Sequence, residues 1–399
     1  MQSWKVNLAV LTLAVVIISS GNTMLMPFLP LYLLEELGAA PEHINIWNGA
    51  IFSVTFLVSS MMSPLWGKLA DKKGKKLLAL RSGICLALTY FLGGIATSPE
   101  QMFMVRFFHG FASGLSTMCL AMASGLVPEA KMGLSLGFLQ AGYSAGTIMG
   151  PFIGSSLSAF WGMRTAFFVT GYVFLAVSLI FLVLLPEPRQ PKQPSVPALQ
   201  KDLLLLPFFR EILLYVFLCQ TAIFFTRPVL SIYVAGLDLG RGNLLLVTGI
   251  IFSLVGIAGV IASPLWGHLG QRYGYGNALC VAAFCAGVMY IANIATENIA
   301  EFAVMHFIYG AFCAGIQPSL SAALVRITPA SEKGQAFGFM FSAQQWGSVI
   351  GPLFGGIMAS SFSISYLFIA GGVIMLAVSV AVCLRGSLRR FLKGNAAGT

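Results

Sequence analysis

Four cationic or proton-exchanging side chains stand inside long apolar stretches of this chain: Arg106, His109, Arg227 and His306. An arginine in the middle of a lipid bilayer costs at least ~2.5 kcal/mol on insertion scales, so a functional role or an end-of-helix position must hold it there. Histidine exchanges a proton near neutral pH. The chemistry these types support is proton transfer and the recognition of anionic or hydrogen-bond-accepting groups. Each has a structural reading beside the chemical one, as a hydrogen-bonded packing histidine or as an arginine whose charged tip reaches the membrane surface. The chain holds no HExxH, no GxxxxGK[ST] phosphate loop and no cluster of metal ligands. An enzyme is therefore not expected, and neither is a metal or any other cofactor.

The elements that position these residues follow from composition. A chain of 399 residues with 57% hydrophobic and 9% charged residues has too little polar surface for a soluble globule. Apolar runs of about twenty residues recur, the length a helix needs to cross a bilayer. They predict twelve spans, six per half, near 6–34, 47–69, 77–96, 102–127, 133–159, 165–185, 211–237, 244–269, 277–295, 302–325, 334–360 and 365–384. The runs are long and do not alternate, so helices are expected rather than a β-barrel: an all-α integral membrane protein. The first run is too long for a signal peptide and Asn22 and Thr23 interrupt it.

Alternate loops differ in charge. One side collects nineteen of the 23 basic residues, including Lys68, Lys72, Lys73, Lys75, Lys76 and Arg81, while the other holds Arg164 and Arg241 among seven acids. The positive-inside rule puts both termini in the cytoplasm of a cell-membrane protein. The net charge of +10 then reports topology and contact with anionic lipid, and no nucleic-acid partner is expected.

The sequence repeats itself. Ile51-Phe52-Ser53 and Ser63-Pro64-Leu65-Trp66-Gly67 return 200 positions later as Ile251-Phe252-Ser253 and Ser263-Pro264-Leu265-Trp266-Gly267. With one residue of shift, Pro27, Tyr32 and Gly150-Pro151 return as Pro228, Tyr233 and Gly351-Pro352. This predicts an N-terminal half at 1–185, a linker at 186–210 stiffened by Pro186, Pro188, Pro191, Pro194 and Pro197, a C-terminal half at 211–385 and a tail at 386–399. All seven cysteines fall inside predicted helices, none in a CxxC pair, and are expected to be buried thiols.

Two motifs carry a family resemblance. Gly67-Lys68-Leu69-Ala70-Asp71-Lys72-Lys73-Gly74-Lys75-Lys76 resembles the G-x-L-a-D-r-x-G-r-k signature of the major facilitator superfamily. Gly142-x-x-x-Gly146-x-x-x-Gly150-Pro151-x-x-Gly154 resembles the antiporter motif of its drug-exporting branches, with Ser155 where a second glycine is usual. Glycines four apart share one helix face and let a second helix approach closely, which is also what generic membrane-helix packing uses. The stretch Met26-Pro27-Phe28-Leu29-Pro30-Leu31-Tyr32 is similar to the same branch, the twelve-helix drug/proton antiporters. The resemblance implies two pseudo-symmetric six-helix halves that rock about a central site. It implies that Asp71 and Lys75 latch the cytoplasmic gate, with Glu129 a partner for Lys75, and that Arg106 in Arg106-x-x-x-Gly110 takes part in proton coupling. The coupling candidates are Arg106, His109 and His306.

Asn22, Gln140, Tyr143, Arg227, Gln317, Gln344 and Gln345 are the candidates for contact with a small-molecule substrate, although an amide in a membrane helix serves packing equally well. No Asp or Glu falls at mid-membrane in the predicted spans. That departs from cation-exporting antiporters and favours neutral or anionic molecules. The resemblance therefore implies proton-coupled efflux of drug-like molecules by a monomer in the lipid bilayer, powered by the proton gradient. An uptake carrier or organic-anion or organophosphate exchanger of the same fold is the alternative. The repeat fails at Asp71 against Gln271, Arg106 against His306 and Met26 against Arg227; those positions are where gate, coupling and substrate are expected.

Overall fold

The structure, a computed structural model, describes residues 4–128, 131–187, 208–237, 243–329 and 332–385, together with 203 and 206. Glu129, the linker prolines Pro188, Pro191, Pro194 and Pro197, Arg241 and the tail 386–399 lie outside the described residues, as does the side chain of Asp71.

Among the described residues, sixteen α-helices make two sets of eight. The first set is α1 (Trp4–Met24), α2 (Leu29–Glu35), α3 (Ile44–Lys73), α4 (Lys75–Ile95), α5 (Pro99–Ala112), α6 (Leu115–Leu126), α7 (Met132–Trp161) and α8 (Met163–Leu184). The second is α9 (Phe209–Phe225), α10 (Leu230–Ala235), α11 (Leu244–Tyr273), α12 (Tyr275–Ala292), α13 (Ile299–Cys313), α14 (Ile316–Ile327), α15 (Lys333–Ser361) and α16 (Ser365–Leu384). Among the described residues, nine segments are long and apolar enough to cross a membrane. The glycine-striped α7 and α15 are as long, at 30 and 29 residues.

Four spans expected to run unbroken are each two helices, at matching places in the two sets. Pro27 and Pro228 have no backbone N–H for the carbonyl four residues earlier, so the ladder stops there. The backbone closes tighter turns instead, Met26 N to Thr23 O at 3.1 Å and Val229 N to Thr226 O at 3.0 Å. Between α5 and α6 the breaker is Gly114, at φ +116°, a left-handed conformation that glycine takes at little cost. Its counterpart Gly315 sits against the Trp266 ring, where an added Cβ would approach to 2.5 Å.

The tryptophan of each repeated Ser-Pro-Leu-Trp-Gly supports the same break. The indole Nε1 of Trp66 donates to Phe111 O at 2.9 Å and that of Trp266 to Ala311 O at 2.8 Å. Those carbonyls lie in the last turns of α5 and α13, where helix acceptors lose their partners. At the other ends, Ser98 and Asn298 cap the two helices by accepting from the N–H of Gln101 and Glu301.

Residues form two compact units. One gathers 1–47, 54–196 and 241–253; the other gathers 48–53, 197–240 and 254–399. The first is centred on Phe28, Tyr32, Tyr90, Phe167 and Phe174, the second on Tyr233, Tyr290, Phe302, Tyr309 and Phe368. One cysteine expectation is corrected: Cys280 of α12 and Cys383 of α16 form a disulfide with Cα atoms 6.3 Å apart. Helix packing brings together two residues 103 apart in sequence, a pairing no local spacing announces. Cys85, Cys119, Cys219, Cys285 and Cys313 remain thiols.

Candidate functional site

The loop at 67–76 is built around a helix-to-helix turn. Gly74 takes φ +102° between α3 and α4, so a side chain there would be strained. Directly above it sits Glu187, whose Oε1 accepts from Lys75 N at 2.7 Å and Lys76 N at 3.4 Å. A carboxylate over the first N–H groups of α4 is the favourable pairing for a helix N-terminus. The Lys75 side chain is buried and its Nζ donates to Ala121 O of α6 at 3.0 Å. Gly67 has open space where a Cβ would stand, so its place in the motif is not explained by packing among the described residues. Glu129, the expected partner of Lys75, lies outside the described residues.

The glycine stripe of α7 is a groove for α1. Added methyl groups would come within 3.1 Å of Thr12 at Gly142, 2.0 Å of Ser19 at Gly146, 2.1 Å of Thr23 at Gly150 and 2.3 Å of Met24 O at Gly154. Ser20 Oγ donates back to Gly146 O at 3.1 Å, and Thr23 Oγ1 lies 3.5 Å from Thr147 O, the carbonyl that Pro151 leaves without its helix donor. The repeat works alike: Gly347, Gly351 and Gly355 of α15 admit α9.

The two prolines also mark contacts that the sequence reading missed. Within one unit the Pro151 carbonyl faces Gly249, and Ser253 Oγ donates to Ile148 O at 2.7 Å. Within the other, the Pro352 carbonyl faces Gly49 and Ser53 Oγ donates to Val349 O at 2.7 Å. Ser53 and Ser253 belong to the repeated Ile-Phe-Ser triplets, so their signal was present in the sequence without its meaning.

Arg106 and His109 do come together, around a tyrosine. The Arg106 guanidinium lies 5.7 Å from the centroid of the Tyr90 ring, and the His109 ring meets the same tyrosine edge-on at 5.4 Å. Tyr90 donates to Gly21 O at 2.5 Å and stacks on Phe174. His109 Nδ1 lies 3.1 Å from Thr89 Oγ1, and the Thr55 hydroxyl donates to the Arg106 carbonyl at 3.3 Å. Arg106, His109 and Tyr90 are all buried. The Nε of Arg106 has no hydrogen-bond partner among the described residues.

The second unit repeats the frame with other chemistry. Tyr290 takes the place of Tyr90, within 3.3 Å of Ala222 O and 2.5 Å of Thr226 Oγ1. His306 stacks on Phe302 at 5.0 Å and lies 5.4 Å from Tyr309, which stacks on Tyr290. His306 Nδ1 finds no hydrogen-bond partner among the described residues, whereas the Tyr309 hydroxyl meets the Cys313 thiol. Arg227 rests its guanidinium 4.2 Å from the Phe224 ring centroid and acts electrostatically on His306, Tyr290 and Tyr309. His109 therefore belongs with Arg106 and His306 with Arg227.

The remaining substrate candidates differ in burial. Asn22 and Gln140 are exposed, as is Tyr143, while Gln317, Gln344 and Gln345 are half-buried. Ser348 Oγ donates to the Gln344 carbonyl at 3.1 Å and receives from Gln220 Nε2 at 3.0 Å. Gln220 thus joins helices α9 and α15.

Two charged residues escaped the sequence reading. Arg81, counted there among the topology-setting cations, covers the Trp66 ring at 3.6 Å and donates to Phe111 O at 3.2 Å and Ala112 O at 3.1 Å. It is a cation at the C-terminus of α5, where the helix dipole favours positive charge. Its repeat position is Val281. Glu187 gave no signal at all, because its partners lie more than a hundred residues away.

The Major Facilitator Superfamily profile matches residues 11–296 and 244–397. The multidrug resistance protein MdtG of Proteus mirabilis (strain HI4320) is 33% identical over 377 residues, covering 92% of each chain. An uncharacterised MFS-type transporter, YuxJ of Bacillus subtilis (strain 168), is 31% identical over 379 residues, with 94% of this chain and 96% of that one covered. Among solved structures, the nucleoside transporter NupG superposes with a TM-score of 0.79 over 96% of this chain and 99% of its own, at 17% identity. A bacterial homolog of the human lysosomal transporter Spinster, inward-facing and occupied, gives 0.79 over 98% and 97% at 14% identity. These structures share the fold; the sequence relatives carry the branch. The chain belongs to the Major Facilitator Superfamily, a family of membrane transporters, and its sequence relatives include multidrug resistance proteins.

Proposed function

We propose that the chain exports drug-like small molecules in exchange for protons, by alternating access of its two halves. The observation that carries the reading is the buried Arg106–Tyr90–His109 cluster, a cation and a proton-exchanging ring held on one helix. Similarity to MdtG over most of the chain supports the drug-export branch. Among the described residues no Asp or Glu is buried, whereas Arg106 is. That balance favours neutral or anionic cargo over cations. Asp71 and Lys75, with Glu129, latch the cytoplasmic gate, and the glycine groove of α7 lets α1 pack closely while the halves rock. The carrier is a monomer of the inner membrane with both termini in the cytoplasm.

A second reading has its own observation. Arg227, His306 and Tyr309 stand close enough to interact, and an anion exchanger would use such a group as its ligand. Proteoliposomes under an imposed pH gradient separate the two. Gradient-driven drug flux that disappears in Arg106→Ala supports proton-coupled export. Gradient-independent exchange lost in Arg227→Ala supports the exchanger, and the absence of any flux across a broad compound panel would count against both.

A further inference from the structure

The hydrogen bonds around His109 fix where its hydrogen sits. Thr89 Oγ1 lies 2.8 Å from Leu86 O and 3.1 Å from Nδ1 of His109. A threonine hydroxyl has one hydrogen, and a carbonyl oxygen has none to offer. The 2.8 Å approach to Leu86 O therefore uses the Thr89 hydrogen. What Oγ1 presents to the imidazole is a lone pair, so Nδ1 must bring the hydrogen to it. In a neutral imidazole with hydrogen on Nδ1, the basic atom is Nε2.

The ring has little freedom to exchange these roles. It is 5% exposed and packs edge-on against Tyr90, itself anchored to Gly21 O and stacked on Phe174. His306 lacks this device. Its Nδ1 has no hydrogen-bond partner among the described residues, and the repeat position of Thr89 is Met289. The two histidines looked alike in sequence; only one is held in a defined tautomer.

Resting on the proton-coupled reading above, we propose that His109 carries the coupling proton on Nε2, and that Thr89 is a positioning residue that keeps the hydrogen on Nδ1 and the lone pair on Nε2. A proton from external water adds to that lone pair, giving an imidazolium, and later leaves the same atom for cytoplasmic water. Only an N–H bond forms and breaks. The groups facing His109 are Arg106 on its own helix and Tyr90 and Thr89 from α4; the charge acting on it among the described residues is that of Arg106. The loaded proton places a second positive charge near the guanidinium, and like charges repel more strongly in the membrane interior than in water. Arg106, whose Nε has no hydrogen-bond partner among the described residues, is the group that responds, which links the proton to the conformation of α5.

Two measurements on the full-length protein test this. In detergent, the nitrogen-15 spectrum of histidine-labelled protein at pH 8, assigned with His109→Gln, is expected to show His109 as the Nδ1–H tautomer in the wild type and in Thr89→Ser. In Thr89→Val that preference is lost. A wild-type Nε2–H tautomer overturns the proposal.

In proteoliposomes, flux of chloramphenicol and of 5-carboxyfluorescein is measured with and without an imposed pH gradient. The ratio of the two rates is expected to fall to one in His109→Gln. Thr89→Val should lose about tenfold of the gradient-driven component with a displaced pH profile, and Thr89→Ser should restore both. Thr89→Val carries the test if His109→Gln does not fold. A gradient-dependent wild type whose coupling survives in His109→Gln overturns this proposal alone. A wild type with no gradient dependence for either compound ends the proton-coupled reading and the proton-carrying role with it.

Discussion

Tyr90 donates its phenolic hydrogen to the carbonyl oxygen of Gly21 across 2.5 Å, tying α4 to α1 beneath the ring that Arg106 and His109 share. Tyr290 stands 200 positions later and lies 3.3 Å from Ala222 O, so each unit keeps a tyrosine at this joint. Replacing Tyr90 by Phe preserves the stack on Phe174 and removes only the hydroxyl. The expected loss is about 1 kcal/mol, the usual net worth of one buried hydrogen bond. Thermal unfolding in detergent measures it, and an unchanged midpoint would mean the bond contributes nothing.

The glycines of the two motifs should respond differently to alanine. At Gly146 a Cβ would stand 2.0 Å from Ser19 Oγ and 2.2 Å from Val16 O. Since α1 must then move away, Gly146→Ala is expected to destabilise by roughly 1–3 kcal/mol. At Gly67 nothing lies within 4 Å, and within helix α3 the change should stabilise by up to about 1 kcal/mol through helix propensity. If Gly67→Ala nonetheless abolishes transport in proteoliposomes, its glycine serves a state other than this one.

Arg81 supplies the next contrast. Arg81→Val installs the residue of the repeat position, removing a cation from above Trp66 and from the end of α5. The combined loss of stacking and carbonyl contacts is expected to be about 1–3 kcal/mol. Val281→Arg should give no comparable gain. Paired unfolding midpoints of the two variants test the asymmetry.

Glu187 closes the N-terminus of α4 from far along the chain. Glu187→Gln keeps the acceptor oxygen and removes the charge, with an expected loss of about 0.3–1 kcal/mol that shrinks in high salt. A salt-independent loss would show that charge is not the cause.

The disulfide makes a chemical prediction. Without reductant, thiol alkylation under denaturing conditions should leave Cys280 and Cys383 unmodified, and peptide mapping should recover them linked. After reduction both should be labelled. Recovery of either as an alkylated peptide from unreduced protein would contradict the pairing.

Much of the fold was legible because a bilayer imposes simple rules on a chain. Long apolar runs could be read as helices, and the 200-residue echo as two matching sets, down to Trp66 and Trp266 supporting equivalent breaks. The glycine groove was legible too, since spacing by four puts residues on one face wherever the helix packs. The breaks themselves were harder. Pro27 and Pro228 sit in runs whose hydropathy continues across them, and hydropathy does not register a missing N–H.

The candidate site was read as single residues, and its grouping came from elsewhere. Sequence alone determined that Arg106, His109, His306 and Arg227 fall in long apolar segments with no acid at mid-membrane, because residue type and hydropathy are properties of a segment. Tertiary structure decided that His109 shares Tyr90 with Arg106, that Arg227 acts electrostatically on His306, that Thr89 meets one imidazole nitrogen, and that Cys280 meets Cys383. Each of those depends on which faces of separate helices meet. Apolar helices of similar composition carry almost no local signal about their partners, so the meeting is set by the packing of the whole bundle.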